Sequence, residues 1–125
     1  MTERQDARPV GVGCDMLKEC VTETICETFR ADIFIAGSKS AAVDLCREFC
    51  LIGLCVSVTE AEYVYTGGME SGVRIGLINY PRFPSCSESI LETARRLAKY
   101  LIWGMHQSSC TIVSDKVTIF MSRRP

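Results

Sequence analysis

Residues 54–84 read LCVSVTEAEYVYTGGMESGVRIGLINYPRFP. Two runs rich in β-branched and aromatic residues flank Gly67 and Gly68, and the stretch leaves through Asn79-Tyr80-Pro81-Arg82-Phe83-Pro84. Alternating apolar positions mark each run as a strand, and a glycine pair between two such runs marks a hairpin, with the connection expected over residues 67–71. In the second strand Val73, Ile75 and Leu77 share one face and Arg74, Gly76 and Ile78 the other. The first strand changes phase: Val56 and Val58 have one parity, Ala61, Tyr63 and Tyr65 the opposite one. A bulge near Glu60 would reconcile the two halves.

Helix patterns flank this hairpin. Upstream, Asp32-Ile-Phe-Ile-Ala36 is a short apolar run ending at Gly37, which suggests a buried strand. Ser38 or Ser40 then caps a helix whose buried face is Ala41, Ala42, Leu45, Cys46, Phe49 and Ile52. Gly53 suits its C-terminus, where a left-handed backbone costs glycine little. Downstream, Ser85-Cys-Ser-Glu88 matches a capping box and opens a helix to Gly104. Ile90, Leu91, Ala94, Leu97, Ala98, Leu101 and Ile102 form its apolar face. Residues 110–122 are β-like and break at Ser114-Asp115-Lys116 into a short hairpin.

Near the start, Asp15 is expected to cap a further helix reaching about Arg30. Leu17, Val21, Ile25 and Phe29 recur every four residues, Cys20 and Thr24 widen the stripe, and Glu19, Glu23 and Glu27 occupy another face. Residues 1–12 are polar and are expected to form a flexible arm. The expected fold is α+β: a ferredoxin-like β-α-β-β-α-β two-layer sandwich with an extra N-terminal helix, in one domain over residues 13–125. The order of elements is similar to that of the small trimeric signalling and cation-tolerance proteins built on one ferredoxin-like unit. None of their binding motifs can be placed here, so this likeness transfers no function.

The chain has 125 residues, 47% hydrophobic and 23% charged, which is the balance of one globular domain. A net charge of −1 makes nucleic acid an unlikely general partner. The polar start has no apolar core of an export signal, and no run reaches the ~20 apolar residues of a membrane span. A cytoplasmic protein is expected. Its eight cysteines lie at scattered spacings with no CxxC pair, and His106 is the sole histidine. Reduced thiols are expected, with no metal site and no cofactor.

Five residues are candidates for ligand contact. Asn79, Tyr80 and Arg82 lie where a strand exits toward a helix N-terminus, whose free N–H groups and positive dipole end attract anions. Glu70 is the acid of the glycine-rich hairpin connection, and Tyr65 leads into it. Glu60 and Glu62 share a strand side, about 7 Å apart by strand rise, but solvated carboxylates at such positions are common. His106 suits a helix C-terminus. Arg95, Arg96 and Lys99, with Arg123 and Arg124, form a basic cluster. No catalytic residue is assigned.

The reading ranked first is a small homo-oligomeric, non-enzymatic module that binds a small anionic or nucleotide-like ligand. A structural or protein-interaction unit without ligand ranks second. A small enzyme using the loop that carries Asn79 and Arg82 ranks third. Apolar side chains on both faces of the strands motivate the oligomer, since helices can cover only one face.

Overall fold

The computed structural model describes residues 20–124, a five-stranded antiparallel sheet with two helices packed on one face. In chain order the elements are β1 (Arg30–Ala36), α1 (Lys39–Phe49) with a 3-10 turn at Cys50–Ile52, and β2 (Ser57–Tyr65). Next come β3 (Gly68–Ile78), α2 (Ser87–Gly104), β4 (Ser109–Ser114) and β5 (Thr118–Ser122). The strand order is β2-β3-β1-β4-β5, so β1 and β3 lie inside and β2 and β5 at the edges.

The core follows from alternation on the inner strands. Ala31, Ile33 and Ile35 of β1 pair with Leu77, Ile75 and Val73 of β3, and Ile33 pairs on its other side with Ile112 of β4. All seven are at most 2% exposed. From α2, Ile90, Ala94, Leu97, Ala98, Leu101 and Ile102 close over them, and Ala42 and Cys46 of α1 complete the layer. Truncating one of the large aliphatic groups to alanine costs about 2–5 kcal/mol. Desolvation pushes the buried Cys46 and Cys110 thiols up to about 11. The seven described cysteines are free.

Four local expectations are corrected. No helix forms over Cys20–Phe29, the described part of the segment expected to be helical; its beginning and the 1–12 arm lie outside the described residues. Val21, Thr22, Thr24, Ile25 and Thr28 are β-branched and lose side-chain freedom in a helix. Val21 and Ile25 stay 82% and 87% exposed, so no packing compensates. The backbone is instead captured by Asn79, described below.

The bulge in β2 is absent. Nine consecutive pairs run from Ser57↔Gly76 to Tyr65↔Gly68 without interruption. The phase change has another cause. Val58 faces the helices opposite Ile75, whereas Ala61, Tyr63 and Tyr65 face the uncovered side of the sheet. The connection is also tighter than expected, since only Thr66 and Gly67 lie between the paired strands. Gly67 takes φ +82°, a value glycine adopts without a Cβ clash.

The capping box does not form. Cys86 is the N-cap of α2 and makes no side-chain cap bond. The amide of Ser85 is held by Asn79, which keeps Ser85 in the loop. At the other end His106 adopts φ 57°. Its N–H reaches Trp103 O and that of Gln107 reaches Ile102 O, the paired bonds of a Schellman stop with histidine in the glycine position.

Candidate functional site

The five candidate residues fall into two groups at opposite ends of β3. Glu70 and Asn79 are nine positions apart, which at strand rise is about 30 Å. Within one chain they form no common site.

The first group stands on the uncovered sheet face at the hairpin. Glu70 pairs directly with Tyr63, and Gly68 with Tyr65. Gly68, Gly72 and Gly76 share Glu70's face of β3, because every second strand residue does. Two of these glycines are overlaid by rings. A Cβ on Gly68 would lie 2.7 Å from the Tyr65 ring, and one on Gly72 2.3 Å from the Tyr63 ring and 2.6 Å from Ile35 O. The Tyr63 hydroxyl donates to Val73 O at 2.5 Å, and burial raises its phenol pKa. Glu70 thus sits on a strand between two glycines, each under a tyrosine ring. Glu70 and Tyr65 are exposed. On the opposite face Glu62 accepts a hydrogen bond from Ser71 Oγ at 3.3 Å. An exposed carboxylate flanked by aromatic rings attracts a cation or an electron-poor group.

The second group closes the exit of β3. Asn79, 8% exposed, is the one buried polar residue among those described. Its Nδ2 donates to Glu27 O at 2.8 Å, its Oδ1 accepts from Ser85 N–H at 2.8 Å, and its own N–H donates to Phe29 O at 2.9 Å. Its side chain is therefore spent on tying the 20–29 segment to the start of α2. A cleft of about 470 Å³ opens there, between Cys26 and Glu27 on one side and Ser85 and Glu88 on the other. The Glu88 carboxylate, held below its ordinary pKa chiefly by its own backbone N–H, supplies the negative charge at this helix end.

Tyr80 is half-buried and packs on Phe83 with ring centroids 5.8 Å apart. A hydrogen bond with the Cys55 thiol, and then burial, raises its phenol pKa. Arg82 is exposed and does not line the cleft. Among the described residues no group of three His, Cys, Asp or Glu side chains could hold a metal ion.

Sequence reading passed over Tyr63 and the glycine stripe as site elements. The signal was present: glycines four residues apart share a strand face, and Tyr63 and Tyr65 have the parity that meets them across the ladder.

No protein-family model and no curated protein matches the chain. Two solved structures of a phage SAM lyase share its fold. The apo enzyme aligns with a TM-score of 0.69 and 18% identity over 85% of this chain and 98% of that one. The complex with S-methyl-5'-thioadenosine gives 0.64 and 17%, over 83% and 96%. The expectation of a non-enzymatic module is thereby corrected: the two solved structures that share the fold over nearly their whole length are of an enzyme. The third-ranked reading, a small enzyme, accords better with this likeness. No described helix is long and apolar enough to cross a membrane.

Proposed function

We propose that this chain is a lyase that cleaves S-adenosylmethionine and releases S-methyl-5'-thioadenosine. The observation that carries the reading is the fold likeness to a SAM lyase over 85% of this chain and 98% of the other. The hairpin chemistry supports it independently. S-adenosylmethionine carries a sulfonium, and a carboxylate between aromatic faces suits a soft cation. In this reading Glu70 holds the sulfonium side of the substrate, and Tyr65 and Tyr63 provide the rings.

The bond from sulfur to the amino-acid side chain breaks, and its electron pair stays on sulfur. The sulfonium becomes a neutral thioether. The amino-acid remainder either loses a proton or closes through its own carboxylate, because a lyase adds no water. Glu70, on an exposed strand, is in reach of solvent and suits binding and orientation of the cation. The loss of positive charge in the product then weakens its hold and favours release.

The fold supports a ferredoxin-like unit from β1 to β4, with β5 appended at its edge. All its neighbouring strands are antiparallel, and both helices cross one face. The other face presents Tyr63, Tyr65, Phe34, Val113 and Phe120, the last 70% exposed. Such a face favours a homo-oligomer. In an oligomer, Tyr80 and Arg82 of one copy can approach the Glu70 end of another, with Arg82 taking the substrate carboxylate and Asn79 positioning the loop. A cytoplasmic location fits the seven free thiols.

The test is direct. Purified protein is incubated with S-adenosylmethionine and no acceptor, and products are separated by liquid chromatography with mass detection. S-methyl-5'-thioadenosine should accumulate in proportion to enzyme. Intact substrate after prolonged incubation, together with no thermal stabilisation by S-methyl-5'-thioadenosine, would sink the reading.

A further inference from the structure

A wide groove lies away from both groups, on the outer side of the helical layer. It measures about 630 Å³ and runs between α1 and α2. Its floor is apolar: Leu45 and Phe49 of α1 face Tyr100 and Trp103 of α2. Gly104 lets the helices meet, since a Cβ there would stand 2.7 Å from Leu45. The Phe49 and Tyr100 rings pack 5.6 Å apart. Trp103, the only tryptophan of the chain, is 62% exposed.

The rim is basic. Arg96 and Lys99 project along α2 beside the aromatic floor, and the Arg123 guanidinium sits 4.3 Å from the Trp103 ring centre. The Glu48 carboxylate is engaged by the Tyr100 hydroxyl. An apolar trough between two antiparallel helices, edged by cations, complements a segment with apolar anchors and carboxylates beside them. A small polar ligand fits less well, because no buried polar side chain converges on the groove. Single-stranded nucleic acid fits less well too, since the Arg123 guanidinium already occupies one face of the single tryptophan.

We propose that the α1–α2 groove is a docking site for an acidic amphipathic helix of a partner protein, separate from the hairpin group. Apolar side chains of that helix lie on Leu45, Phe49 and Trp103, and its carboxylates meet Arg96, Lys99 and Arg123.

Trp103 makes the groove self-reporting, because all tryptophan fluorescence of the chain arises there. The full chain is titrated with a synthetic peptide carrying leucine at helical spacing and glutamate elsewhere, and with a counterpart in which lysine replaces every glutamate. A third titrant is a short oligothymidylate. The glutamate peptide should shift the emission to the blue saturably, at least about tenfold more tightly than the lysine peptide and more weakly as salt rises. The paired substitution Arg96→Gln and Lys99→Gln, which leaves the floor intact, should weaken it by about tenfold while the thermal melt stays in place. Equal binding of both peptides, tighter binding of the oligothymidylate, or no response to the glutamate peptide at millimolar concentration would overturn the proposal.

Discussion

The two ends of β3 differ in what they do with their polar groups. At the exit, Asn79 is buried and its amide is committed to Glu27 and Ser85. At the hairpin, Glu70 is exposed and stands between two tyrosine-covered glycines. A polar side chain with its bonds satisfied inside the chain serves the fold, because breaking those bonds leaves buried groups without partners. A charged side chain beside aromatic faces at the surface keeps its charge free to meet a cation, the role the proposed function gives Glu70. Position on the same strand does not make the two equivalent.

The largest effect expected is on stability, at the exit. Asn79→Ala leaves the Ser85 N–H and the Glu27 carbonyl without their partner and should cost about 3 kcal/mol in denaturant unfolding. A cost below about 1 kcal/mol would show that the exit is not the clamp described. Next comes Glu70→Gln. It should leave the melting midpoint in place but weaken binding of S-adenosylmethionine by about 2 kcal/mol, the scale of a lost charge-assisted interaction. Unchanged binding in a calorimetric titration would remove the hairpin from the site.

Gly72→Ala follows. The new methyl meets the Tyr63 ring and Ile35 O, and the backbone oxygen cannot swing away. A loss of about 1–2 kcal/mol is expected, with Tyr63 displaced and activity reduced. Full stability and activity together would mean that the ring overlay is dispensable. The smallest effect is expected of Arg82→Ala, whose exposed side chain should contribute less than about 0.5 kcal/mol to stability. Its effect on turnover decides whether the exit loop joins the hairpin through a second copy. If it does, mixing Glu70→Gln and Arg82→Ala proteins should restore part of the activity that each lacks alone.

Much of the fold was legible because alternation and period carry it. Val73, Ile75 and Leu77 face the core as their spacing says, and the α2 stripe from Ile90 to Ile102 is buried. The break at Ser114-Asp115-Lys116 separates β4 from β5. The failures lie where distant groups or the second face of the sheet decide. Val21 and Ile25 have helical spacing but no surface to pack on, and Asn79, distant in sequence, captures the same backbone. The parity change in β2 reads as a bulge only when every apolar residue is assumed to face one core. Tyr63 and Tyr65 face the other side, where glycines receive their rings.

The candidate site was legible in part. Glu70 and Tyr65 stand out locally, as an acid and an aromatic beside glycines. Their grouping with Tyr63 requires the register of β2 on β3, which pairs residues across the turn. By itself the sequence determined the strands, the two packed helices and the presence of a hairpin at the glycine pair, because each depends on residues within a few positions of one another. Only the tertiary structure decided that Asn79 is a clamp, that Arg82 stays in solvent, and that Glu70 and Asn79 lie at opposite ends of one strand. Those facts depend on which distant groups satisfy each other's hydrogen bonds, and no local pattern records that choice.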